Sequence, residues 1–180
     1  MRFSGMAQLS TERGGGPLSM RSEPVSYPIL FTIADVVSSR RFLIEVRACG
    51  RALMVPEDDA WWLYGVEPGG IACSGESPGA ACVRFTEAFK KVLTDIAEEA
   101  RDFGDFERLA HEFFSQQDDA ERARWDKAFS DLRSGAVKPD AAVSSMGRLP
   151  ADARSYLTVR PLDPGAFSAT RYDDVAMAAA

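Results

Sequence analysis

At 180 residues the chain has room for one domain with tails. Hydrophobic residues make up 46% and charged residues 27%, and no apolar run approaches the ~20 residues that span a bilayer, so membrane insertion is not expected. The formal net charge of −6 is uneven: residues 1–56 hold seven bases and four acids, 57–133 nine and eighteen, and 134–180 five of each, so an acidic middle opposes a grip on nucleic acid and suits a basic protein partner.

The stretch from Met1 to Ser22 is rich in Gly, Ser and Arg and has no continuous apolar core. It reads as a mobile tail over 1–24 rather than a signal peptide, and the chain is expected in the cytoplasm. Cys49, Cys73 and Cys82 are odd in number and form no CxxC pair, which predicts free thiols. With one histidine and the wrong cysteine spacings, neither a metal site nor a cofactor is expected.

Tyr27 to Ile33 is β-branched and aromatic and predicts the first strand, with a turn at Ser38-Ser39-Arg40. Phe42, Ile44, Val46 and Ala48 then alternate with Leu43, Glu45, Arg47 and Cys49, a half-buried strand that Ala52 to Val55 extends past a bulge at Gly50. Pro56 to Asp59 turns the chain. Trp61 to Val66 is the next strand, with Trp61, Leu63 and Gly65 on one face and Trp62, Tyr64 and Val66 on the other. One aromatic face belongs under a helix, and the other calls for a second cover. Glu67 to Gly70 turns the chain back into a short strand, Ile71 to Ser74.

Ser77-Pro78 is a helix start, with Ser as N-cap and Pro at the first position. Ala81, Phe85, Ala88, Phe89, Val92, Leu93, Ile96 and Ala100 then recur at spacings of 3 and 4, a core-facing stripe. Phe106, Leu109, Ala110, Phe113 and Phe114 predict a second helix. Asp118 to Glu121 resembles an acidic capping box that opens a third, closed by Gly135. Residues 136–180 read as a mostly extended tail, in which Ser155 to Arg160 could add one strand. The expected architecture is α+β. A small antiparallel sheet of three to five strands carries one long helix on one face, two shorter helices follow, and the domain spans 25–135.

Between Phe42 and Ala100 several features follow in order: Trp61-Trp62-Leu63, Pro68-Gly69-Gly70, Cys73-Ser74-Gly75, Glu76-Ser77, and a helix from Phe85 to Ala100. This set resembles the HicB-like antitoxin family. The resemblance implies a partial RNase H fold and a regulatory, non-catalytic role exercised by binding a protein, either a small basic toxin or a second copy in a homo-oligomer. Family members often append a DNA-binding segment; here two acidic helices follow instead, so nucleic-acid binding is not expected.

Catalytic readings fare less well. Metal-dependent hydrolysis needs converging carboxylates, for which Glu45 and Glu87 are the nearest candidates. His111 could form a nucleophile–base pair with Cys82 or Cys49, but no nucleophile motif flanks either cysteine. No catalytic residues are assigned. A structural or scaffold role outside toxin–antitoxin systems stays open. The candidate interaction residues are Trp61, Trp62 and Tyr64 on the aromatic strand, and Glu107, Glu112 and Trp125 on the acidic helices.

Overall fold

A computed structural model of the chain describes residues 24–138, 140–144 and 154–163. Apart from Pro24, the tail expected at 1–24 lies outside the described residues, as does most of the one expected at 136–180. The architecture is α+β, with strands β1 (Tyr27–Ser38), β2 (Leu43–Glu57), β3 (Ala60–Glu67) and β4 (Ala72–Gly75). Helices α1 (Pro78–Glu99), α2 (Phe103–Ser115), α3 (Asp119–Ser134) and the single turn α4 (Ala141–Ser144) follow, and then β5 (Tyr156–Leu162).

The sheet is antiparallel, in the order β1-β2-β3-β4, with β5 also on β2. The long β2 explains that arrangement. One of its edges pairs with β1 without a break from Ser38↔Leu43 to Tyr27↔Met54. The other edge is shared. β3 takes Glu57 to Arg51, then slips register at Arg51/Ala52, with Val66 as the extra residue. The irregularity falls there and not at Gly50, which lies under the Phe31 ring and beside the Glu67 carbonyl, where any Cβ would collide. The turn at Pro68 to Gly70 then leads β3 away, with Gly70 at φ 77°. The rest of that edge, Leu43 to Cys49, pairs with β5.

Alternation sends the even residues of β2 to one face and the odd ones to the other. Ile44, Val46, Ala48, Ala52 and Met54 join Tyr27, Ile29, Phe31, Ile33 and Val37 of β1 in the main core, under α1 and α2. The ring of Phe89 lies 5.7 Å from Phe31, 5.6 Å from Phe113 and 6.4 Å from Phe114, tying β1, α1 and α2 together. The odd residues Leu53 and Val55 join Val66 beneath Trp125 and Ala128 of α3 on the opposite face. Helices therefore pack on both sides of the sheet, α1 and α2 on one and α3 over one end of the other.

The helix boundaries follow local chemistry. Ser77 accepts the Ala80 amide at 3.1 Å with Pro78 in the first turn. Asp118 accepts the Ala120 and Glu121 amides, but Glu121 pairs with Arg124 instead of reaching back, so the capping box is one-sided. Gly135 closes α3 in the left-handed region. At the far end of α1, Arg41 donates to the carbonyls of Ala100 at 2.8 Å and Arg101 at 3.3 Å, a cation where the helix dipole is negative.

Two differences from the sequence expectation matter. β1 runs five residues past Ile33, because Asp35, on the α1 face, pairs with Lys90 at 2.7 Å. β5 is an integral strand, with Leu157 and Val159 in the main core, so the domain does not end at 135.

At the start of α2, Arg101 and Arg108 donate to Asp105 and hold its carboxyl down at about 2, against an ordinary 3.8. A carboxyl lowered by folding contributes stability above its ordinary range and loses it as pH falls through the folded value. Melting curves of the wild type and Asp105→Asn should therefore converge between about pH 4 and about pH 2. A gap that persists at the lower pH would contradict the pairing.

Candidate interaction surface

The two faces of the sheet are not covered to the same extent. α1 and α2 pack over the core face as far as β5. On the other face α3 covers one end, where it lies over Leu53, Val55 and Val66 and also packs against β1. The boundary is Arg51, whose guanidinium lies 4.9 Å from the centre of the Trp125 ring. Beyond it no element lies over the sheet among the described residues.

That open half is formed by Thr32, Ala34 and Val36 of β1, Glu45 and Arg47 of β2, and Tyr156, Thr158 and Arg160 of β5. Val36 is 40% exposed and Tyr156 51%, which leaves apolar and aromatic surface in water. Arg47 pairs with Glu45 at 2.7 Å, and Arg160 stands opposite Glu45 in the ladder. Cys49 closes this half toward Arg51, and burial pushes its thiol up.

Beside the open half runs the outer edge of β1, which pairs with β2 alone. Along its twelve residues alternate backbone groups face outward, although the Val36 amide is taken by the Asp35 carboxylate at 2.7 Å and Pro28 brings no amide hydrogen. None is Lys or Arg, no bulge interrupts the ladder to β2, and the single carboxylate, Asp35, is engaged with α1. Pro28 near one end and the inward-pointing Asp35 are two of the devices that blunt an edge; β1 carries no edge lysine and no bulge.

The residues expected to interact are dispersed. Trp61 is half-buried against the main core, 6.4 Å from Tyr27. Trp62 and Tyr64 stack on the opposite face at 5.8 Å, and Tyr64 packs against the α3 cluster. The Tyr64 hydroxyl donates to Glu57 at 2.9 Å; burial and that carboxylate push it up to about 12. Trp125 is 6% exposed and stacks on Phe129 at 5.1 Å, so it is a core residue of the α3 layer. Glu107 is exposed on α2, and Glu112 is exposed in a pair with Arg108 at 3.1 Å. The second cover called for by the aromatic strand is thus α3 of the same chain. Sequence reasoning missed the open half-sheet; its signal was the small, alternating Thr32, Ala34, Val36 after an apolar start.

The catalytic candidates do not converge. Glu45 lies on the open half-sheet and Glu87 on the exposed side of α1, so the sheet stands between them. Cys82 packs against the main core and burial pushes its thiol up, while His111 is on the exposed side of α2. Among the described residues no three His, Cys, Asp or Glu side chains are placed to hold a metal ion. A pocket of ≈ 270 Å³ lies between the β1–β2 hairpin and the last turns of α1, lined by Ser39, Arg40, Arg41, Ala97 and Glu98. Its Arg41 already donates to the carbonyls of Ala100 and Arg101, just past α1.

Against known proteins, no family model, no curated protein and no solved structure matches the chain. Among the described residues no helix is long and apolar enough to cross a membrane.

Proposed function

We propose that this chain is a non-catalytic, protein-binding domain of the HicB-like antitoxin kind, and that it takes a partner's extended segment along the edge of β1. The observation that supports this reading most is the combination of a long edge strand free of lysine and bulges with an uncovered half-sheet beside it. Strand addition draws affinity from main-chain hydrogen bonds and specificity from alternate side chains, and both are present here. The net charge of −6 favours a small basic partner by long-range attraction. Three free cysteines suit the reducing cytoplasm.

Thr32 and Val36 are exposed on the strand, so Thr32→Lys with Val36→Lys should leave the fold intact and charge the edge. Tagged protein recovered from the native host should carry a stoichiometric small basic protein that this double variant loses. A variant that retains the partner would contradict the edge assignment. The non-catalytic part has its own check. RNA incubated with the chain and Mg²⁺ or Mn²⁺ should stay intact, and cleavage abolished by Glu45→Gln would overturn it.

A further inference from the structure

The geometry points to a short acceptor window on β1, Leu30–Ala34, closed at one end by Pro28 and at the other by the Asp35 side chain. This inference rests on strand addition at β1. It makes Asp35 the positioning residue that sets where a partner's strand stops.

The hairpin fixes which backbone groups face outward. The Ser39 amide donates to the Phe42 carbonyl at 3.0 Å, so on β1 the odd-numbered residues bond across to β2 and the even-numbered ones face the open edge. Two details agree with that parity. Pro28, which has no amide hydrogen, falls in the outward set. The Val36 amide donates to the Asp35 carboxylate at 2.7 Å, which a ladder bond to β2 would prevent. The outward amides open to an incoming strand are those of Leu30, Thr32 and Ala34.

Asp35 is held in its role from α1. Its Oδ2 takes the Lys90 ammonium at 2.7 Å while its Oδ1 takes the Val36 amide. Lys90 and then the Val36 amide keep the carboxyl below its ordinary range despite partial burial, so it remains an ionised acceptor. A strand that ran past Ala34 would have to displace this carboxylate from Val36 or leave its own carbonyl without a donor. At Pro28 the same carbonyl would meet no amide at all. The segment that fits therefore has about five residues in the ladder. Alternate side chains of that segment stand beside Thr32 and Ala34 on the open half-sheet. Both are exposed and neither is bulky, so β-branched or aromatic side chains suit those places.

The probes are capped peptides of alternating Val and Lys, five, seven and nine residues long, added to the full chain. Amide hydrogen exchange is followed residue by residue by NMR. In the free chain the Val36 amide should exchange more slowly than those of Leu30, Thr32 and Ala34. Asp35→Ala should bring it level with them, whereas Lys90→Ala, which leaves the Asp35–Val36 bond in place, should not. Each peptide should protect Leu30, Thr32 and Ala34 in the wild type and leave Val36 unchanged. In Asp35→Ala the protection should extend to Val36, and the seven-residue peptide should bind about three- to tenfold more tightly than to the wild type. The wild-type measurements carry the test if Asp35→Ala fails to fold. Peptide protection that reaches Val36 in the wild type overturns the stop while strand addition stands, and so does a free Val36 amide as fast as the other outward ones. No protection of β1 by any peptide, with Val36 slow in the free chain, overturns strand addition itself and the window with it.

Discussion

Phe89→Asp is expected to abolish cooperative folding. Phe89 is fully buried and its ring meets Phe31 of β1 and Phe113 and Phe114 of α2. Truncation to alanine at such a site costs about 3–5 kcal/mol in lost transfer energy and cavity. A domain of this size holds only about 5–15 kcal/mol in total. Aspartate adds a buried carboxylate with no cation beside it, so it is either ionised at great cost or protonated against its ordinary range. Urea denaturation followed by circular dichroism should show a lowered midpoint for Phe89→Ala and no transition for Phe89→Asp. A wild-type midpoint in either would contradict the helix-on-sheet packing.

Trp125 is expected to behave as a core ring without a polar role. It sits over Leu53, Val55 and Val66, with Arg51 over its face and Phe129 stacked beside it. Its indole N–H has no hydrogen-bond partner among the described residues. Trp125→Ala should cost about 3–5 kcal/mol by uncovering the α3 side of the sheet. Trp125→Phe keeps most of the ring and leaves behind no acceptor that relied on the N–H, so it should cost under about 1.5 kcal/mol. Equilibrium unfolding of the two variants checks the contrast. Equal, small effects would return Trp125 to the surface role expected from its place on an acid-rich helix.

The local chemistry of this chain was legible in its sequence where a single element decides it. The alternation from Leu43 to Cys49, the Ser77-Pro78 helix start and the Phe85 and Phe89 stripe all reappear in the structure. Asp35 hid the second half of β1, because an acid at a core-facing position reads as the end of a strand unless Lys90 is known to meet it. The two-faced character of Trp61 to Val66 was readable, but not its cover. That depends on α3 folding back under the sheet, a non-local contact that no periodicity encodes. The same holds for β5. Its residues read as a strand, yet its place beside β2 follows from the departure of β3 at Arg51. The open half-sheet is what remains when α3 stops at Arg51, so it was invisible until both neighbours were in place.

The acidic helices carry less unbalanced charge than their composition suggests. Asp105, Glu112, Glu121 and Asp131 are each paired with an Arg or Lys close by in sequence. Such exposed pairs add little stability, about 0–1 kcal/mol each, but they do lower the local field a basic partner would meet. The sheet edge is therefore the better-supported binding element. Amide hydrogen exchange, recorded for the chain alone and for the complex isolated from the native host, tests this most directly. The account predicts that partner binding adds protection to the outward amides of β1 between Tyr27 and Ser38, with α2 and α3 unchanged. Protection confined to α2 and α3 around Glu107, with β1 exchanging as in the free chain, would contradict it.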